Sequence, residues 1–142
     1  MRWSMLFVIG LFFSGCHTSK IPQAPDSGLD AITFGHGGGF TGAVHAFLLQ
    51  EDGHLFSGDG ELTHYKHIGK LDSNKAKQYL SIIRRLFDQH TPINRPGNTY
   101  QYLGLSHGGK VQKFTWQNEE DVPKEAGILY QILKRALPEM KE

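Results

Sequence analysis

The dipeptide Asp52-Gly53, set between the apolar runs "AVHAFLLQ" and "HLF", constrains this 142-residue chain more than any other local feature. Glycine reaches positive φ without a side-chain clash, so an Asp-Gly pair between apolar segments turns a strand back on itself. Taken alone, "AVHAFLLQ" suits either a buried strand or two turns of helix. The turn that follows selects the strand and predicts paired strands over 43–50 and 54–57.

Around this hairpin the remaining elements fall into place. "AITFG" reads as a strand that runs into the glycine-rich stretch "GHGGGFTG" at 35–42. "SGDGE" is a loop, and "LTHYKHIG" is a polar strand or extended segment with imperfect alternation. "LDSNKAKQYLSIIRRLFDQH" is the clearest helix: Asp72 or Ser73 can cap it, and Ala76, Tyr79, Leu80, Ile83, Leu86 and Phe87 recur at helical spacing on one face. "TPINRPGN" ends that helix. "TYQYLGLS", the turn "HGG" and "KVQKFTW" form a second hairpin, and a final helix over about 123–137 has the apolar stripe Ile128, Leu129, Ile132, Leu133 and Leu137. The order of strands, helix, strands, helix, joined by hairpins, predicts an α+β domain: an antiparallel sheet of four to five strands with two helices packed on one face.

The glycine stretch spells two enzyme motifs. Gly37, Gly39 and Gly42 satisfy G-x-G-x-x-G after a strand, but pyrophosphate binding needs a helix directly behind the loop, within a parallel βαβ unit. The Asp52-Gly53 turn leaves room for only a very short one. "HGGGF" at 36–40 and "GLSHG" at 104–108 together spell an esterase, with Ser106 as nucleophile. A nucleophile elbow lifts its serine on a strand-to-helix turn, whereas Ser106 ends a strand that turns back into another strand. No histidine follows His107 to complete a triad in the order Ser, acid, His. No catalytic residue is assigned, and the chain is read as not an enzyme.

The first residues point to export. A basic start at Arg2 precedes an apolar run from Met5 to Phe13 and then Ser14-Gly15-Cys16. The run is shorter than the roughly 20 residues that cross a bilayer. Phe13-Ser14-Gly15-Cys16 resembles a lipobox, which makes residues 1–15 a lipoprotein signal peptide and Cys16 the lipidated first residue of the mature chain. As the only cysteine, Cys16 has no disulfide partner within the chain. Residues 16–29, with Pro22 and Pro25 among small polar residues, read as a flexible tether. Residues 30–138 then form a single domain, lipid-anchored in the bacterial cell envelope and facing the periplasm or exterior. Removing residues 1–15 takes away Arg2 and leaves fourteen basic residues against fourteen acidic ones. A balanced chain without a basic block has no long-range field for nucleic acid.

Eight histidines are many for this length. His64 and His67 lie three apart, and His36, His45 and His54 lie near the glycine stretch and the first hairpin. Zinc sites draw about four ligands from His, Cys and carboxylates, and neither H-E-x-x-H nor paired C-x-x-C spacing occurs. The reading therefore assigns no metal ligands and no cofactor, and keeps a weak histidine metal-binding protein as an alternative. His90, at a helix end, suits the helix dipole. Tyr65, Tyr100, Tyr102, Phe114 and Trp116 alternate along strands and suit either core beneath a helix or a carbohydrate- or peptide-binding face.

"ITFGHGGGFTG", the apolar strand after it, the amphipathic helix, the "YQYLGLSHGGKVQKFTW" hairpin and the terminal "ILYQILKRAL" helix are together similar to emfourin, a family of small protein inhibitors of thermolysin-type metalloproteases. The likeness covers about residues 30–137 and is most specific at Gly38-Gly39-Phe40-Thr41-Gly42. It lacks a counterpart for the anchor and for "EDGHLFSGDGELTHYKHIG". The resemblance implies a sheet-and-helix fold, no catalysis, and a metalloprotease or other envelope protein as partner. A preformed protruding loop binds a cleft at low ordering cost, and pockets that favour bulky apolar groups would accept Phe40. Two orientations of Phe40 stay open: inward, as core beneath a glycine bulge, which is favoured, or outward, toward a partner.

Overall fold

The computed structural model describes residues 20–138, so Cys16 and the signal segment lie outside it. The fold is α+β. Seven strands, β1 (Ala31–Gly38), β2 (Val44–Gln50), β3 (His54–Gly58), β4 (Tyr65–Lys70), β5 (Asn94–Arg95), β6 (Thr99–His107) and β7 (Lys110–Trp116), accompany helices α1 (Ser73–Gln89) and α2 (Lys124–Arg135). They form one sheet in the order β4-β3-β2-β1-β6-β7-β5.

The first four strands form consecutive hairpins, and "AVHAFLLQ" is a strand, as the Asp52-Gly53 turn requires. Gly53 has φ +93°, and its N–H donates to the Gln50 carbonyl at 2.9 Å, closing a three-residue loop. After α1 the chain returns to the other side of β1, where β6 pairs antiparallel with it from Ala31 opposite Ser106 to Gly38 opposite Thr99. The glycine-rich strand β1 is therefore the central strand of the sheet.

The sheet has more strands than the four to five expected, and it is mixed, because β5 runs parallel to β7. "TPINRPGN" does end the helix, but Pro96 disfavours helical backbone at Arg95 and keeps it extended. The segment then lies along β7, where the Thr115 N–H donates to the Ile93 carbonyl at 2.7 Å and Arg95 donates to the Asp121 carboxylate at 3.0 Å.

Strand alternation sorts the sheet's side chains into two sets. Ile32, Phe34, Phe47, Leu49, Leu55, Leu103, Leu105, Phe114 and Trp116 share the main buried cluster with residues of both helices. Ala31, Leu48 and Phe56, with Tyr65, make a smaller cluster on the alternate positions. The aromatic stripes thus divide: Phe114 and Trp116 are core, whereas Tyr65, Tyr100 and Tyr102 belong to the alternate set.

Helix α1 buries Ala76, Leu80, Ile83 and Leu86, with Tyr79 and Phe87 packed at the margin. Phe87 stacks on Phe114 at 4.5 Å between centroids. Asp72 is its cap: the carboxylate accepts the N–H groups of Asn74 at 3.0 Å and Lys75 at 3.1 Å, an interaction that contributes about 1 kcal/mol.

Helix α2 is rolled relative to the expected stripe. It buries Ala126, Leu129, Tyr130 and Leu133 and leaves Ile128 51% and Ile132 38% exposed. Tyr130 supplies the reason, since its ring meets Trp116 edge to face at 5.5 Å, and a large aromatic in the core outweighs two isoleucines left half-covered.

Upstream of β1, the Gln50 side chain donates to the Asp26 carbonyl at 2.8 Å and accepts the Asp26 N–H at 3.2 Å. Ordered hydrogen bonds thus reach back to Asp26. Among the described residues, no helix is long and apolar enough to cross a membrane.

Candidate functional site

The stretch "GHGGGFTG" does three different things along its length. Gly35 and Gly37 lie within β1, directly opposite Tyr102 and Tyr100 of β6. A side chain on either would strike the facing tyrosine hydroxyl at 2.8 Å, and at Gly35 the His45 carbonyl is nearer still. These two glycines make room for tyrosines. Gly38 has φ +92°, and a Cβ there would stand 2.2 Å from the Asn98 carbonyl. There β1 ends, with Gly38 still paired opposite Thr99, and the chain passes into the loop.

Residues 39–43 then form the β1–β2 loop. The Gly39 N–H donates to the Asn98 carbonyl at 2.7 Å, the Gly42 N–H to the Gly39 carbonyl at 3.2 Å, and the Ala43 N–H to the Thr41 hydroxyl at 3.4 Å. Gly39 and Gly42 both have positive φ. Phe40 sits at the tip with 107% relative exposure, as free of contacts as in an extended chain. The favoured inward orientation is therefore not adopted. A five-residue loop whose glycines turn the backbone sharply has no path back over the core, so the ring projects.

Behind the loop lies a polar cleft of about 340 Å³ bounded by His36, Thr41, His45, Gln101, Tyr130 and Lys134. His36 and His45 face each other across β1 and β2, their rings stacked at 4.9 Å and 22°. Burial, then the neighbouring His45 and Lys134, lower the pKa of His36. The amide oxygen of Gln101 is buried and has no hydrogen-bond partner among the described residues, an acceptor in a cleft that Lys134 also lines. Burial pushes the Tyr130 phenol up to about 12. Phe40 thus projects from the rim of a cleft that offers both donors and an unused acceptor.

The other proposed groupings separate. His64 hydrogen-bonds Asp59 at 2.9 Å within the 59–64 loop rather than joining His67. His67 instead meets His54, with Nε2 and Nδ1 2.9 Å apart. The His90 N–H donates to the Leu86 carbonyl at 2.9 Å at the end of α1. Ser106 is paired between Ala31 and Val111 and runs into the β6–β7 turn. β2, directly behind the glycine loop, is a strand where a dinucleotide site needs a helix. Among the described residues, no group of three or more His, Cys, Asp and Glu side chains is placed to hold a metal ion.

One feature has no counterpart in the sequence reading, and a second is marked there only by the alternation of Tyr100 and Tyr102. Asp30 accepts hydrogen bonds from Arg84 of α1 and, at 2.7 Å, from His107. Burial raises the Asp30 pKa, but the hydrogen bonds from Arg84 and His107 and the neighbouring Arg84 charge outweigh it and hold the carboxyl below its usual range. On the alternate sheet face, Thr33, Tyr100, Tyr102 and Lys113 line a cavity of about 230 Å³. Thr33 is 5% exposed and its hydroxyl has no partner among the described residues. The sequence carries no signal for the Asp30 grouping or for Thr33 and Lys113 joining the tyrosines, since partners up to 77 residues apart meet only through strand register.

No protein-family model matches the chain, and no curated protein matches its sequence.

Proposed function

We propose that this chain is a non-catalytic lipoprotein of the bacterial cell envelope, anchored through Cys16, and that the Gly38–Gly42 loop inserts Phe40 into the cleft of a thermolysin-type metalloprotease as an emfourin-like inhibitor. One observation carries the reading: Phe40 is wholly exposed on a loop tied to Asn98 by a 2.7 Å hydrogen bond. An exposed aromatic ring is free to fill an apolar pocket of a partner, and a braced loop gives up little entropy when it binds. In this reading both helices form one layer over the Ile32 and Phe34 side of the sheet, which leaves the loop clear at the end of the β1–β2 hairpin.

A second reading, an envelope lipoprotein with a structural or ligand-binding role, has its own support in the unpartnered Thr33 hydroxyl facing the Tyr100 and Tyr102 cavity.

Titration of the purified chain against a thermolysin-type protease separates the two. Stoichiometric loss of peptidase activity is expected, and its absence at micromolar chain would sink the inhibitor reading. Phe40→Ala should abolish inhibition and leave the melting temperature unchanged, because an exposed side chain contributes within about 0.5 kcal/mol to stability.

A further inference from the structure

We infer that the hydrogen bond between His54 and His67 is an acid-sensitive latch at the outer edge of the sheet, and that charging both rings frees the Tyr65–His67 half of β4 from β3. Nδ1 of His54 and Nε2 of His67 stand 2.9 Å apart, so one nitrogen donates and the other accepts. Strand β4 ends the sheet on this side, and among the described residues no strand pairs with its far edge. The bond sits where the two strands break step. Leu55 stands opposite Gly69 but Phe56 stands opposite His67, which leaves Ile68 as an extra residue in β4. Side chains alternate faces along a strand, so this slip brings Tyr65 and His67 onto the face of Phe56.

The two sides of the bulge are held differently. Toward α1, Ile68 and Leu71 pack against the main core, and the Leu71 N–H donates to the Gly53 carbonyl at 2.9 Å. Toward the 59–64 loop, side-chain contact with β3 runs through the histidine bond and through two rings set edge-on to Phe56, His67 at 5.3 Å and Tyr65 at 6.3 Å. The bulge is therefore the hinge. Opening there uncovers the fully buried Phe56 ring and frees the backbone edge of β3 at Phe56–Gly58.

Proton counting sets the direction. A neutral imidazole has one N–H and one lone pair, and an imidazolium has two N–H groups. The first proton leaves the bond standing, because the charged ring donates to its neutral partner in a charge-assisted bond. The second removes the last lone pair, and two N–H groups of like-charged rings then face each other. That proton goes on below the ordinary histidine value of about 6.5, and the rings titrate as a pair. The surroundings do not relieve the repulsion. Burial lowers the His54 pKa; of the nearby charges Asp52 opposes this, and Lys70 and then His67 add to it. The Asp52 carboxylate is already engaged by the His54 backbone N–H at 3.1 Å. Lys66, opposite Ser57, alternates to the other face, and β2, on the far side of β3, carries no carboxylate or lysine.

The His36 and His45 pair differs. Its rings are stacked face to face at 22°, and its strands β1 and β2 are each flanked on both sides, so charging it opens no edge. It serves as the internal control.

Amide hydrogen exchange of the full chain in detergent, followed residue by residue from pH 7 to about pH 4.5 and corrected for intrinsic rates, decides the matter. Protection across Phe56–Gly58 and Tyr65–His67 should fall about tenfold or more, together with the second protonation of the pair in nitrogen-15 histidine spectra, while Leu71 keeps its protection. His67→Gln supplies a side chain that hydrogen-bonds without titrating and should abolish the response; His36→Asn should leave it intact. Unchanged protection once both rings are charged, or rings that do not both charge by about pH 4.5, would overturn the latch. Equal loss at Leu71 would overturn the hinge, since the whole β3–β4 hairpin would then be opening. A response that persists in folded His67→Gln would place its cause elsewhere and overturn the proposal too. If that variant does not fold, the spectra and exchange of the unaltered chain still decide.

Discussion

At the residue scale, the glycines of "GHGGGFTG" differ in what they tolerate. Gly38 and Gly42 both sit at positive φ, where any other L-residue is strained by about 1–2 kcal/mol. They differ in surroundings: a Cβ at Gly38 meets the Asn98 carbonyl at 2.2 Å, and one at Gly42 meets nothing within 4 Å. Gly42→Ala is therefore expected to cost only the backbone strain, about 1–2 kcal/mol, whereas Gly38→Ala should cost about 2–4 kcal/mol because the loop brace must also move. Urea denaturation of the two variants checks this, and equal losses would mean that the Asn98 contact is not rigid. The glycine run marks this loop in the sequence; the orientation of Phe40 is not marked, since one apolar letter between glycines suits both core and tip.

At the element scale, α2 tests how closely a helical stripe can be read. Ile128, Leu129, Ile132 and Leu133 all fall within one broad apolar arc, and the arc alone does not say where its centre faces. Leu133, fully covered, is expected to cost about 2–5 kcal/mol on replacement by alanine. Ile128→Ala, at a half-exposed site, should cost less than about 1 kcal/mol. Denaturant midpoints for the two variants distinguish the rolled helix from one centred on Ile128 and Ile132, which would reverse the order. The first helix was more legible, because its buried positions are flanked by charged residues that bound the face sharply. The extra strand β5 shows the opposite case: two residues between prolines become a strand only because β7 is there to pair with them.

Across the whole molecule, Asp30 ties the start of β1 to α1 through Arg84 and to the β6–β7 turn through His107. Its carboxyl releases its proton more readily in the folded chain than in the unfolded one, where the ordinary value is about 3.9. The unfolded chain therefore binds more protons on acidification. This contribution to stability is whole above about pH 4 and is lost as pH falls through the lowered folded value. Asp59, an exposed group, adds a dependence of the same sign, its pKa lowered by hydrogen bonds from Thr63 and then His64. Asp30→Asn should lower stability at neutral pH and flatten its fall below about pH 4. Denaturation midpoints followed across that range give the test, and an unchanged slope would show that the clamp carries no weight.

By itself the sequence determined the local grammar of this protein: the hairpin at Asp52-Gly53, the capped helix after Asp72, the Gly-Gly turn at 108–109 and the glycine bend before β2. Each depends on neighbours in the chain, whose spacing is written in the letters. Tertiary structure alone decided which partners meet. Tyr100 and Tyr102 over Gly37 and Gly35, His54 against His67, and Asp30 between Arg84 and His107 all depend on strand register or on long-range docking. A shift of one residue in register reverses every side chain on a strand, and no local pattern records it. Phe40 follows the same division, for its glycines announced a turn, and only the packed sheet behind them left its ring outside.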